Sequence, residues 1–188
     1  MTKGQETHKI WLETAFYLFS EVGPDGLNIK SLSEAAKLPR SNFYYYFTDK
    51  EDLMEQLFKL YIDLSNAYRE EVAKNFNNLF PDLYEFLANF KQGVKFHRQL
   101  FNNRHIPEYE HIYYSLNRAA HEYIVPKVKE YYNLDMDDNE IMALWETITD
   151  TWYCRINFDD FTAASLSKLA KDIINTVLPL TGQKSIRS

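Results

Sequence analysis

The apolar residues of this chain recur at helical spacing along most of its length. Ile141, Trp145, Ile148, Trp152 and Ile156 follow one another at intervals of four, three, four and four residues. An α-helix places such residues on a single face. Only 5 glycines and 6 prolines interrupt the 188 residues, and these are the residue types that most often end helices. The pattern therefore predicts an all-α fold with long helices.

The breaks in this periodicity divide the chain into about nine helical segments. We expect an N-terminal head of three helices at residues 1–47 and a larger helical body at residues 48–188. The first helix should cover residues 6–22, because glycine and proline follow it. Pro126 lies inside the seventh segment and should kink or split that helix, since proline lacks the backbone N–H that a helix interior needs.

The segment 28–53 combines two short helices with a tight turn. Asn28 precedes the first helix as a candidate N-cap, and Pro39 interrupts the pattern. Helical spacing then resumes at residue 40, with Phe43 and Phe47 as its inward-facing anchors. Two short helices across a tight turn form a helix-turn-helix, whose second helix enters the major groove of DNA.

Polar side chains occupy the outer face of this second helix. Arginine can bind guanine and asparagine can bind adenine through two hydrogen bonds each, so Arg40 and Asn42 are candidates for reading bases. Hydroxyl and amine groups suit phosphate oxygens, which fits Lys30, Tyr44 and Lys50. The residues that we expect at the DNA are Lys30, Arg40, Ser41, Asn42, Tyr44, Tyr45 and Lys50.

The overall charge of −6 at pH 7 is unfavourable for a DNA-binding protein. Its distribution is more informative, because residues 1–50 carry six Lys or Arg and six Asp or Glu, so the excess acid lies in the body. Phosphate neutralisation supplies most non-specific affinity. We therefore expect the head to bind DNA non-specifically with only modest strength.

The segment 28–53 resembles the helix-turn-helix of the TetR family of bacterial repressors. In that family the motif ends in a tyrosine-rich run closed by phenylalanine, and a lysine with an acidic pair opens the next helix. The corresponding stretches are FYYYF at 43–47 and KEDL at 50–53. The family usually has glycine at the turn position of Lys37 and a small hydroxyl residue at that of Pro39. The resemblance implies a repressor that binds double-stranded operator DNA.

A single protomer would read too little DNA, so we expect a homodimer. Two recognition helices about 34 Å apart, one turn of the duplex, would read a palindromic operator. The eighth and ninth helices should pack as a four-helix bundle across the two-fold axis, and large aromatic residues often anchor such interfaces. Burial of the tryptophans within one protomer is the alternative. The residues predicted for this interface are Trp145, Ile148, Trp152, Leu169 and Ile173.

Helices four to eight should enclose a site for a small apolar or aromatic ligand, because such sites combine aromatic walls with a few polar groups. A ligand that favours one shape of the body would tilt the fourth helix and release DNA. The same side chains can instead fill a solid core. The residues predicted to line the site are Tyr61, Tyr68, Phe86, Phe90, Phe96, His97, Tyr113, Asn117 and His121.

An acidic stretch tests the case for a calcium site. Asp135, Asp137, Asn139 and Glu146 occupy ligand positions of an EF-hand loop, but Glu140 stands where the loop needs glycine. An acidic N-cap and first turn of the eighth helix explain the same residues. The histidines of the body show no i, i+4 pair and have no cysteine beside them, so we expect no metal and no cofactor.

Other functional classes find little support in the sequence. It contains no glycine-rich phosphate loop, nucleophile elbow or paired-carboxylate motif, so an enzyme is not expected. No apolar run would cross a membrane, and the N-terminus lacks a signal-peptide core, which favours a cytoplasmic protein. The alternative function is a helical protein-interaction module that keeps the helix-turn-helix without binding an operator.

Overall fold

The computed structural model describes residues 2–181, which confirm the all-α prediction. Within this range nine α-helices and a closing 3₁₀ turn follow one another, with no strand. The elements are α1 (Lys3–Gly26), α2 (Ile29–Ala36), α3 (Arg40–Phe43), α4 (Lys50–Asn75), α5 (Asp82–Asn89), α6 (Lys91–Asn102), α7 (Pro107–Tyr132), α8 (Asp138–Arg155), α9 (Ala163–Val177) and the 3₁₀ turn Leu178–Thr181.

The first helix is interrupted where the sequence predicts its end. Gly23 has φ 69° and ψ −171°, which breaks the helix before its last residues. Glycine adopts this conformation without the steric cost that a Cβ would impose. Trp11, Ala15 and Phe19 form the buried face of α1, and Thr2 caps its N-terminus. Helix α1 therefore starts earlier than predicted and bends at the expected place.

The helix-turn-helix has the predicted cap and turn. The Asn28 side chain accepts a hydrogen bond from the Ser31 N–H at 3.0 Å. Lys37 adopts the left-handed conformation at φ 56° and ψ 36°, at a cost of about 1 kcal/mol for a residue with a Cβ. Helix α3 ends at Phe43, earlier than predicted, and turns continue through Tyr46. Phe43 and Phe47 are buried anchors, as predicted.

Helix α7 runs through Pro126 as one element, so the predicted split does not occur. The buried neighbours Ile124, Val125 and Val128 hold this part of the helix against the core. Their packing offsets the cost of about 3 kcal/mol that proline imposes on a helix interior. No helix in the described range is long and apolar enough to span a membrane.

A single contiguous core connects the head to the body. It extends from Trp11 in α1 to Leu178 after α9. Helix α1 makes its most extensive contacts with α6, while α5 and α8 both pack on α9. The head is therefore attached to the body through α6 as well as through the continuous chain into α4.

Candidate functional site

Most of the side chains predicted for DNA contact are exposed on the head. Lys30, Arg40 and Ser41 are exposed, and Tyr44 and Tyr45 show 62% and 82% of their surface to solvent. A tyrosine that stabilises a fold buries most of its ring. Tyr45 contributes almost nothing to the core, so its surface is available to a partner.

Asn42 differs from these residues because its side chain points partly inward. Its Oδ1 accepts a hydrogen bond from the Trp11 indole Nε1 at 3.0 Å. A two-bond contact with adenine needs both the oxygen and the nitrogen of the amide. The bond from Trp11 takes one of the two lone pairs of this oxygen and fixes the direction of the amide, so the observed contact of Asn42 is one that holds α3 on α1.

Lys50 also makes an internal contact that the sequence did not predict. Its ammonium donates a hydrogen bond to the Pro24 carbonyl oxygen at 3.1 Å. This bond joins the first turn of α4 to the end of α1 and explains a cation at a helix N-terminus, where the dipole favours anions. A phosphate contact by Lys50 would have to share or replace this bond.

The body contains a partly open cavity of about 160 Å³, lined by side chains of α4 to α9. A cavity of this size is close to one that holds benzene in another protein. Five predicted residues line it, namely Tyr61, Tyr68, Phe90, His97 and Asn117. The sequence missed Ser65 and Arg69, although both follow Tyr61 on the same face of α4 at intervals of four residues.

Four residues predicted for the ligand site lie outside the cavity. Phe96 stacks on Tyr61 at 4.1 Å and on Phe16 at 5.1 Å, where α1, α4 and α6 meet. Tyr113 is fully buried, and its hydroxyl donates to Asp150 at 2.8 Å. Of the remaining two residues, Phe86 is partly buried and His121 is buried. Helical spacing identified them as inward-facing but not which inward-facing residues border empty space.

Three residues predicted for the dimer interface line this cavity instead. Trp145, Ile148 and Trp152 are at most 8% exposed and border the cavity, and Ile173 is 1% exposed. Leu169 is partly buried against the same core. A side chain enclosed by its own protomer has little surface for a partner, so the burial of the first four disfavours a direct contact across an interface; their role at the interface stays a prediction. Apolar periodicity marks a covered face without identifying what covers it.

A hydrogen-bonded chain of three side chains forms the polar end of the cavity. The Tyr61 hydroxyl lies 2.7 Å from His97 Nδ1, and His97 Nε2 lies 3.0 Å from Asn117 Oδ1. Asn117 Oδ1 can only accept, so Nε2 carries the proton and Nδ1 accepts from the tyrosine. Burial lowers the pKa of His97 from 6.5 to about 4, so the ring is neutral at pH 7.

Helix α6 contacts the cavity on one side and the head on the other. Lys95 Nζ lies 2.6 Å from a carboxylate oxygen of Glu21 in α1, and this hydrogen bond lowers the pKa of Glu21. Gln99 donates to the Ser20 carbonyl at 3.3 Å. His97, on the same helix, belongs to the cavity wall. A shift of α6 caused by a ligand would therefore reach the head directly.

The acidic stretch before α8 serves as a helix cap. Asp137 accepts hydrogen bonds from the N–H groups of Asn139 and Glu140 at 2.8 and 2.9 Å, and the Glu140 side chain returns to the Asp137 N–H at 3.1 Å. This reciprocal arrangement is a capping box. Across residues 2–181 no group of three His, Cys, Asp or Glu side chains is placed to hold a metal ion.

The head of the chain matches a family of known regulators. Residues 12–57 match the family of bacterial regulatory proteins described as the tetR family. The chain is 24% identical over 158 residues to IcaR of Staphylococcus epidermidis, an HTH-type negative transcriptional regulator of the biofilm operon icaADBC, covering 78% of this chain and 82% of IcaR.

Solved structures share the fold over nearly the whole chain. A transcriptional regulator from Saccharomonospora viridis in complex with choline superposes with a TM-score of 0.70 at 14% identity, over 91% of this chain and 96% of that one. A TetR-family regulator from Rhodococcus gives a TM-score of 0.57 at 15% identity, over 90% and 97% of the two chains. At these identities the likeness shows the fold alone.

Proposed function

This chain belongs to the TetR family of bacterial regulatory proteins, and we propose that it is a repressor released from its operator by a small apolar or aromatic ligand. It is a DNA-binding transcriptional regulator and not an enzyme. The proposal extends this statement to the direction of control and to the nature of the signal.

The observation that carries the DNA-binding part is the exposed surface of α3 and the turn after it. Arg40 is exposed at the start of α3, and Tyr45 is 82% exposed beyond its end. In a helix-turn-helix the N-terminal residues of the second helix reach the base edges. We propose Arg40 for base readout, and Lys30, Ser41 and Tyr44 for the surrounding bases and phosphates.

A homodimer would present two such surfaces to a palindromic operator. The outer face of α8 carries a row of small residues, Ala143, Thr147, Thr151 and Cys154. Both threonine hydroxyls donate hydrogen bonds to backbone carbonyls four residues earlier, at 2.9 and 2.8 Å, so neither hydroxyl needs a partner outside the helix. Small side chains let two helices approach closely. We propose that this row, with the exposed side of α9, forms the interface.

The cavity supports the ligand-binding part of the proposal. Its walls are mainly apolar, with both aromatic and aliphatic side chains, and its polar end is the His97 chain. The related fold from Saccharomonospora viridis holds choline, which is a precedent for a small molecule in a regulator of this architecture. A ligand here would act through α4, which continues into the head, and through α6, which holds Glu21 of α1.

Selection from a random duplex library followed by titration at several salt concentrations tests the proposal. We expect an enriched inverted repeat, with an affinity that falls steeply as salt rises. Arg40→Ala should weaken binding by about 1–3 kcal/mol and relax the preference at one position of each half-site. Lys74→Ala is the matched control, because it removes one positive charge at the far end of α4, roughly 40 Å along a 26-residue helix.

Two results would refute the proposal. The first is a selection that enriches no sequence, with binding that does not depend on salt; it would favour the protein-interaction module instead. The second is an Arg40→Ala protein that binds the selected duplex as tightly as the Lys74→Ala protein does.

A further inference from the structure

Among the described residues, Arg69 is the one charged side chain that lines the cavity. No described acidic side chain forms an ion pair with it. It is partly buried on α4 and borders the cavity together with Tyr68 and Tyr123. None of the ion pairs or hydrogen bonds found in residues 2–181 involves its guanidinium.

The helix itself offers Arg69 no acid. On an α-helix the residues three and four positions away are the ones that a side chain can meet. For Arg69 these are Ser65, Asn66, Val72 and Ala73, which are all uncharged. No aspartate or glutamate borders the cavity either. The guanidinium therefore remains available to a group that enters from outside.

Tyr68, which precedes Arg69 in the sequence, supplies a second unsatisfied group in the wall of the same cavity. Its hydroxyl is buried without a hydrogen-bond partner in the described part of the chain, and its ring stacks on Phe90 at 4.3 Å. A buried hydroxyl without a partner is unfavourable, because it has lost its hydrogen bonds to water. By contrast, the polar groups of Tyr61 and His97 are already paired with each other.

We propose that the cavity takes an organic anion with an apolar body. The anionic group pairs with Arg69 and accepts a hydrogen bond from the Tyr68 hydroxyl, while the apolar body lies against the aromatic and aliphatic side chains of the cavity wall. This inference rests on the proposed ligand-regulated function and adds the chemical class of the ligand. Aromatic walls also attract quaternary ammonium groups, but the cationic Arg69 and the lack of a bordering acid oppose a positive ligand here.

Two series of probes that differ only in charge test the class. The aromatic series is phenylacetate, 2-phenylethanol and benzyltrimethylammonium, and the linear series is octanoate, octan-1-ol and octyltrimethylammonium. Thermal shift without DNA measures the binding of each probe to the full-length protein, because a ligand stabilises the folded state that it binds. In at least one series the anion should bind roughly tenfold or more tighter than the alcohol, which is the effect of one charge-assisted hydrogen bond. The cation should bind most weakly.

Variants at Arg69 show whether this residue is responsible. Arg69→Leu should remove the preference for the anion, and Arg69→Lys should keep most of it. The melting temperature of the empty Arg69→Leu protein should be unchanged or higher, because no partner is lost. A fall in that temperature would reveal a structural partner for Arg69 and overturn the proposal. The proposal is also overturned if the anion shows no advantage in either series, including the case in which no probe binds or the cations bind best.

Failure of this inference is distinguishable from failure of the proposed function. Selection of an operator and its dependence on Arg40 are measured without any probe. A protein that selects an inverted repeat but prefers the alcohol or the cation remains a regulator with a different ligand. A protein that prefers the anion but selects no DNA has the ligand site without the proposed role.

Discussion

Replacing His97 by glutamine should remove a large part of the acid sensitivity of this fold. In the folded protein the pKa of His97 is lowered from 6.5 to about 4 by burial. The unfolded chain therefore binds a proton in the range between these two values, whereas the folded protein does not. The stability that neutral His97 contributes is fully present above pH 6.5 and is lost as the pH is lowered toward 4.

The size of this effect follows from the two pKa values. Each pKa unit of difference corresponds to about 1.4 kcal/mol. Once His97 is fully protonated in the unfolded state, the free energy of unfolding is therefore about 3 kcal/mol lower than at neutral pH. Between pH 7 and pH 5 the loss from this one group is about 2 kcal/mol. Solvent screening should reduce this free energy only slightly, because the exposed fraction of His97 is only 5%.

Urea unfolding at pH 7 and pH 5, at one fixed protomer concentration, measures the effect. The His97→Gln protein keeps an amide that can hydrogen-bond but does not titrate, so its free energy of unfolding should fall by about 2 kcal/mol less than that of wild type. His111→Gln is the matched control, since His111 is an exposed histidine on α7, and it should follow wild type. If His97→Gln lost as much stability as wild type over this range, the neutral, buried assignment of His97 would be wrong.

Three further changes test other parts of the structure. If the proposed dimer forms through α8, Thr147→Lys should convert it into folded monomers in sedimentation, whereas Ser115→Lys on the exposed side of α7 should not. A dimeric Thr147→Lys protein would exclude the proposed α8 interface. Lys37→Gly should raise the free energy of unfolding by up to about 1 kcal/mol, because glycine adopts the left-handed turn without strain, and a decrease in urea unfolding would contradict this. Glu21→Gln should cost about 1 kcal/mol or less but reduce the effect of a bound probe on operator affinity; an unchanged effect would exclude coupling through the contact with Lys95.

The parts of the fold predicted correctly depend on neighbouring residues. The cap at Asn28, the turn at Lys37 and the helix break at Gly23 all follow from local chemistry that a few letters of sequence contain. The inward direction of Phe43 follows from helical spacing in the same way. A sequence can therefore identify a helix-turn-helix, because this motif is short and each of its signals is local.

The site residues were harder to predict because their roles depend on distant partners. Asn42 meets Trp11 across 31 positions, and Lys50 meets Pro24 across 26, so no local pattern indicates that these side chains are occupied. Trp145 and Trp152 were recognised as apolar anchors, but only the packing of α8 shows that they face the cavity of their own protomer. Periodicity indicates which face of a helix a side chain occupies. It does not indicate which distant residue that side chain will contact.

The double attachment of the head affects how this protein can be recombined with its relatives. A hybrid joined at residue 47 would take α1 from one parent and α6 from the other, and would separate Glu21 from Lys95. Gln99 also lies so close to Gly23 that a methyl group there would meet its Oε1 at 2.8 Å. An exchanged head would thus need a matching α6 to transmit a signal. The head and α6 should therefore be exchanged together rather than the head alone.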